Sequence, residues 1–306
     1  MKAVICTHYG SPDVLQIQEV PKPIPNENQI LVRIIATAVN SGDARVRSLD
    51  IKKWYMKIIM QIVLGISKPR KSILGTVFSG IIESKGNNVS KFKIGNKVFG
   101  MTGFNFGTYA EYIVVNENSN VIEMPKNASY EEAAAIIFGG QTAIHFLNKA
   151  KISSLTKPEI LIVGATGSVG IAAIQIAKHY NANVTAVCSS KGQKLVEDLE
   201  VNNYILYDKE DFFKLPKKFD IIFDAVGKTN KDSCKNLLRK KGSYISVSLG
   251  YASETVNQLK LLKKLFEEGN FKAVIDRTFP MNKVIIAHEY VDTGRKKGNV
   301  ILKIDH

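Results

Sequence analysis

Ile160-Leu161-Ile162-Val163-Gly164-Ala165-Thr166-Gly167-Ser168-Val169-Gly170 is the stretch that decides the fold. Its four leading apolar residues read as a short buried strand. From Ile171 to His179 the apolar positions Ile171, Ile174 and Ala177 recur at helical spacing. A strand that runs through a glycine-rich turn into a helix is the setting in which a dinucleotide binds. Gly164 permits the tight turn, Gly167 lets backbone approach a pyrophosphate, and Gly170 lets the helix pack on the strand. Thr166, Ser168 and Val169 fill the turn between them. The helix start offers unpaired N–H groups and a partial positive charge to phosphate oxygens.

A second apolar strand, Val184 to Cys188, follows, and its end bears on the cofactor. A fold that prefers NAD places Asp or Glu there, where the carboxylate accepts from the ribose 2′-OH. Here the residues are Ser189, Ser190 and Lys191, and no acid comes until Glu197. Two hydroxyls and an ammonium suit a 2′-phosphate. The expected cofactor is NADP(H).

The chain has 306 residues, enough for two domains, and its hydrophobic content of 45% is that of an ordinary globular protein. Its start, Met1-Lys-Ala-Val-Ile-Cys6, reads as a strand rather than a secretion signal. The apolar run Ile58 to Ile66 is too short to span a bilayer. Cys6, Cys188 and Cys234 lie far apart and form neither a disulfide framework nor a metal box. These features lead to the expectation of a cytoplasmic protein with no membrane span. The net charge of +14 favours anionic partners. The lysines are dispersed, however, with no basic stripe interleaved with aromatics, so nucleic acid is not expected as a partner.

From Met1 to about residue 120, short β runs alternate with turns: 3–6, 15–19, 29–38, 77–84, 97–101 and 108–115. One helix is expected at 51–64, where Ile51, Trp54, Tyr55, Ile58, Ile59, Ile62 and Val63 form an apolar stripe. Ser129-Tyr-Glu-Glu132 is a capping box. The helix after it is expected to break at Gly139-Gly140 and resume from Thr142 to Ala150. Beyond the glycine turn, strands at 183–188, 204–207, 219–224 and 243–248 alternate with helices at 168–180, 191–199 and 230–239, the pattern of a parallel sheet. Helices at 256–268 and 282–293 follow. A last strand, 300–304, is expected to return to the first domain, and strand 243–248 to lie at a sheet edge where a homodimer can form.

Taken in order, several short motifs resemble the medium-chain dehydrogenase/reductase superfamily, in its zinc-independent quinone oxidoreductase-like and enone reductase-like branch. They are Ala38-Val-Asn40-Ser-Gly-Asp43, Leu74-Gly75 through Ser79-Gly80, Val98-Phe-Gly100, Gly107 to Tyr112, Gly140-Gln-Thr142-Ala, the Gly164–Gly170 turn, Phe223 to Gly227, and His288 through Asn299-Val. The resemblance implies an α/β architecture: a Rossmann doubly wound parallel sheet (121–271) inserted in a GroES-like, mostly antiparallel β domain (1–120 with 272–306). Zinc-dependent members hold a metal with a Cys and a Gly-His-Glu motif, and here those positions carry Val39-Asn40-Ser41 and Gly75-Thr76-Val77. No metal site is therefore expected. Many zinc-free relatives carry an acid where Val77 stands, a departure read here as packing in place of a hydrogen bond.

The implied reaction is hydride transfer from NADPH to a quinone or to an activated C=C of an enone or enal, so the expected partner is a small apolar carbonyl or quinone. Asn40 and Tyr55 are the candidate catalytic residues, with helix 51–64 over the cleft. By the same resemblance Thr142 lies near the nicotinamide, Tyr207 flanks the adenosine phosphate with Lys191, and Asn299 contacts the cofactor. The competing function is a non-catalytic NADPH sensor or an RNA-binding relative of the same fold.

Overall fold

A computed structural model describes residues 1–50 and 54–306. The three residues 51–53, which open the expected helix 51–64, lie outside the described set. Fourteen strands and seven α-helices follow in chain order. The strands are β1 (Lys2–Cys6), β2 (Leu15–Glu19), β3 (Gln29–Ala38), β4 (Val77–Lys85), β5 (Lys97–Met101), β6 (Tyr112–Asn116), β7 (Val121–Glu123), β8 (Glu159–Val163), β9 (Asn183–Cys188), β10 (Asn203–Leu206), β11 (Phe219–Asp224), β12 (Leu238–Ser246), β13 (Ile275–Pro280) and β14 (Asn299–Lys303). The helices are α1 (Ser41–Ser48), α2 (Trp54–Leu64), α3 (Tyr130–Lys149), α4 (Ser168–His179), α5 (Gln193–Asp198), α6 (Val256–Glu267) and α7 (Val284–Asp292). No described helix is long and apolar enough to cross a membrane.

The chain divides into two compact units, Met1–Ile137 with Ile275–His306, and Phe138–Val274. The sequence suggests boundaries near 120 and 272. The first division instead falls within α3, whose apolar residues 133–137 belong with the first unit.

In the first unit a seven-stranded sheet runs β13-β14-β3-β4-β5-β7, and β6 also pairs with β3. At ten residues β3 is long enough to serve three neighbours. Residues 29–33 pair with β6 and residues 36–38 with β14. The tail strand β14 thus returns to this sheet, as expected. The sequence reading omits β13, which lies parallel to β14. Its Asp276-Arg277-Thr278 is half-exposed and lacks the alternation that marks a strand.

The second unit holds five parallel strands in the order β10-β9-β8-β11-β12. β8 is central, and its Ile160, Leu161 and Ile162 are wholly buried, as a strand covered on both faces must be. The chain leaves β8 for β9 on one side and later returns to β11 on the other. The reversal therefore falls at the carboxyl end of β8, where open α/β sheets bind their ligands.

Two expectations need correction. The segment 230–239 is not a helix: it makes one 3₁₀ turn, Lys235–Leu237, and enters β12 at Leu238. Asn230 and Ser233 each accept the other's N–H with their side chains, which closes a local turn, and Leu238 already pairs with Phe219, so the segment passes from turn to strand. Nor does Gly139-Gly140 break α3, which is continuous over twenty residues. A Cβ at Gly139 would strike the Ser168 carbonyl, and one at Gly140 would strike Leu262. These glycines serve close packing, and tertiary contact outweighs their poor helix propensity.

Candidate functional site

In the second unit, the turn after β8 is built as the glycines require. Gly164 has φ +78, a conformation open chiefly to glycine. The Gly164 and Ala165 N–H groups both donate to the Val187 carbonyl at 3.1 Å, fixing the turn to the end of β9. Gly170 packs so closely that a Cβ there would run into the Gly164 carbonyl. At Gly167 a Cβ would meet only that carbonyl, at 3.7 Å, which leaves room for a ligand above the turn. Gly167 caps α4 without a side-chain hydrogen bond, and the first turn has no acid, so the positive end of the helix is not neutralised locally. Ser168 and Val169, in that first turn, are buried. A pyrophosphate fits this cradle.

The neighbouring turn is closed by a residue that the sequence shows within a motif but without a role. Buried Asp224 accepts the N–H groups of Val226, Gly227 and Thr229 at 2.8–3.1 Å and the Thr229 hydroxyl at 2.9 Å. This places the Val226 side chain against Gly164. Its sequence signal is an Asp at a strand end followed by a Gly, a turn signature.

The adenosine-side candidates converge. Ser189 caps a 3₁₀ turn, Ser190–Gly192, and the Thr166 side chain packs on Gly192. The Tyr207 N–H donates to the Cys188 carbonyl at 2.9 Å, bringing its exposed ring to the end of β9. Lys191 is exposed beside them. The fold also brings Asp208 here, where it accepts the Ser190 N–H at 2.8 Å. That hydrogen bond holds the Asp208 carboxyl below its usual range. Thr142 is half-buried on α3, about one turn beyond Gly139.

Asn40, Tyr55 and Asn299 belong to the first unit. Asn40 is buried and opens α1, where Asp43 returns a carboxylate oxygen to the Asn40 N–H at 3.0 Å. The Asn40 amide lies 3.5 Å from the Thr76 hydroxyl, at the limit of a hydrogen bond. Val39 N–H donates to the Val300 carbonyl at 2.8 Å, so pairing with the tail brings buried Asn299 close to Asn40. Tyr55, on α2, is 46% exposed and packs edge-on to Trp54. Val77 is fully buried, and its carbonyl accepts the Thr37 hydroxyl at 2.6 Å.

Below Asn40 lies a buried polar cluster that the sequence signalled only through the Asn-x-x-Asp spacing of a helix start. Tyr109 donates to Asp43 at 3.1 Å, and His288 stacks edge-on against Tyr109. Burial pushes the Asp43 carboxyl up to about 7, against the hydrogen bonds from Asn40, Tyr109 and Thr76 that favour its charge. Burial, and then the Arg47 guanidinium, push His288 down to about 3. Arg47 is itself buried and pairs with Asp292 and the Gly10 carbonyl. Among the described residues no three His, Cys, Asp or Glu side chains gather as a metal site.

A glycine turn at the reversal point of a parallel sheet, carried in one chain with a largely antiparallel sheet, marks a two-unit protein of the dinucleotide-binding class. Comparison with known proteins narrows the class. Residues 26–126 match the alcohol dehydrogenase GroES-like domain, and residues 168–275 and 249–302 match two zinc-binding dehydrogenase families. The chain is 34% identical to the 2-methylene-furan-3-one reductase of Solanum lycopersicum, across 99% of its own length and 79% of the relative's. It is 29% identical, over the same shares, to the chloroplastic NADPH-dependent alkenal/one oxidoreductase of Arabidopsis thaliana. The structure of the quinone oxidoreductase from Coxiella burnetii is similar with a TM-score of 0.84, at 25% identity, covering 100% of this chain and 99% of that one. The chain belongs to the medium-chain dehydrogenase/reductase superfamily, in its quinone oxidoreductase- and enone reductase-like branch. It is an oxidoreductase with a nicotinamide cofactor.

Proposed function

We propose that this protein is an NADPH-dependent reductase that passes hydride to a quinone or to the activated C=C of an enone or enal, without zinc. The observation that carries the reading is the make-up of the Asn40 corner. Where a catalytic metal would need thiolate, imidazole or carboxylate, the chain offers Asn40, Ser41, Thr76 and Val77. The names of the tomato and Arabidopsis relatives support the substrate class.

When bound, the nicotinamide supplies the hydride. The Gly164–Gly170 turn and the start of α4 would hold the pyrophosphate, and Ser189, Ser190, Lys191 and Tyr207 the 2′-phosphate. Asp208 stays ionised beside this pocket, with one oxygen taken by the Ser190 N–H, so the Lys191 ammonium has to offset its charge as well as attract the phosphate. Thr142, and Asn299 on the strength of the tail motif, would contribute further polar contacts to the cofactor. In the other unit, Asp43 fixes the Asn40 backbone, so the amide is positioned before the acceptor or the nicotinamide ribose arrives. Its weak contact with Thr76 leaves donor capacity for an oxygen on which charge develops. The Tyr55 hydroxyl is a second donor, and water supplies the proton.

The test is NADPH oxidation with a panel of enals, enones and quinones. Asn40→Ala lowers turnover by roughly tenfold or more while cofactor affinity changes less, the sign of lost transition-state positioning. Tight NADPH binding with no oxidation across the panel would replace this reading with an NADPH sensor.

A further inference from the structure

The apolar stripe that the sequence places on α2 does not face the core. Trp54, Tyr55, Ile58, Ile59, Ile62 and Val63 are all exposed, Trp54 at 74% and Ile62 at 62%. At about 100° per residue they occupy one continuous half of the helix surface. Met60 and Leu64, on the opposite side, anchor the helix in a small cluster with Leu49 and Phe106. Ile66, 76% exposed, extends the patch into the following turn. That turn is folded back on the helix: Arg70 N–H donates to the Leu64 carbonyl at 2.6 Å, and the Gln61 amide to the Ile66 carbonyl at 3.0 Å. Lys68, Arg70 and Lys71, in and just after this turn, are exposed. Between Asp50 and Glu83 the sequence contains no acidic residue.

From this surface we infer that α2 and its basic turn dock onto an anionic phospholipid membrane. A contiguous exposed apolar face is a binding surface of some kind. Two features select a lipid surface. Among the described residues of the face, the hydrogen-bonding side chains are the indole of Trp54 and the phenol of Tyr55, the two kinds that settle where acyl chains meet headgroups. The turn that continues the face carries Lys68, Arg70 and Lys71 and no acid, which matches anionic headgroups. Docking of this kind would place the protein at the phase into which an apolar quinone or enal partitions.

Trp54 is the only tryptophan in the chain, so intrinsic emission reports this helix alone. The experiment mixes the full-length protein with vesicles of phosphatidylcholine, or of phosphatidylcholine with phosphatidylserine, and follows co-sedimentation and Trp54 emission. With phosphatidylserine present, the protein sediments and its emission moves to the blue. Binding is at least about tenfold weaker with phosphatidylcholine alone, and it weakens as salt rises. Lys68→Ala and Lys71→Ala each weaken it about fivefold. Ile62→Asp with Ile66→Asp abolishes the shift, while an unchanged far-ultraviolet spectrum shows that the fold persists. Absence of sedimentation with phosphatidylserine vesicles overturns the inference. So does a blue shift that grows with protein concentration in the absence of lipid, which assigns the face to a second copy. A shift caused by NADPH and an enal without lipid also overturns it, and assigns the face to the acceptor.

Discussion

Asp43 and His288 both touch Tyr109, and burial holds each in its neutral form, so they tilt the pH dependence of stability in opposite directions. The Asp43 carboxyl rises from 3.8 to about 7 on folding. It contributes stability that is complete below its unfolded value and lost as pH climbs toward about 7. The His288 imidazole falls from 6.5 to about 3. Its contribution is complete above 6.5 and lost as pH drops. At about 1.4 kcal/mol per pH unit, each window is worth at most roughly 5 kcal/mol, a large share of a typical folding free energy. The slopes cancel between about pH 4 and 6.5, so this pair leaves the wild type nearly flat there.

Asp43→Asn keeps an oxygen to accept from Asn40 and Tyr109 but cannot ionise, so the His288 slope is uncovered. In urea unfolding the variant's stability relative to wild type falls by roughly 3 kcal/mol between about pH 6.5 and 4, a difference from which every other titrating group drops out. His288→Gln shows the mirror image, losing stability as pH rises over that range. Parallel wild-type and Asp43→Asn curves across this window would show that Asp43 is ionised in the fold, and the reasoning would fail.

Lys191→Ala weakens NADPH binding about tenfold, or 1.4 kcal/mol, and leaves NADH nearly unchanged by titration calorimetry; equal loss for both cofactors refutes the 2′-phosphate assignment. Gly139→Val forces α3 away from the Ser168 carbonyl and lowers stability by about 2 kcal/mol or more, measured by chemical unfolding; a neutral result would mean the two helices do not pack so closely. Turnover survives prolonged chelation, with no stoichiometric zinc by elemental analysis, and chelator-sensitive activity would restore a metal mechanism.

Much of the molecule is legible in its residues because backbone choice is local. The bounds of β2, β3, β5, β9 and β11 follow from apolar patterning between turn residues, and the glycine turn follows from spacing alone. The candidate site is legible to the same extent: Ser189, Ser190 and Lys191 must end the second strand whatever surrounds them. Where partners come from afar, the sequence is silent. Asp208 reaches Ser190 only because β10 lies beside β9. The strand β13 exists only because β14 offers it a partner. Gly139 and Gly140 read as a helix break until Ser168 and Leu262 are seen filling the space a side chain would need. The stripe on α2 is the sharpest case. Periodicity gives the helix and its apolar half, but which half faces solvent depends on where Leu49 and Phe106 lie, and they bind the side bearing Met60 and Leu64. A pattern along one segment records which residues share a face, whereas burial is a property of what the rest of the chain brings against it.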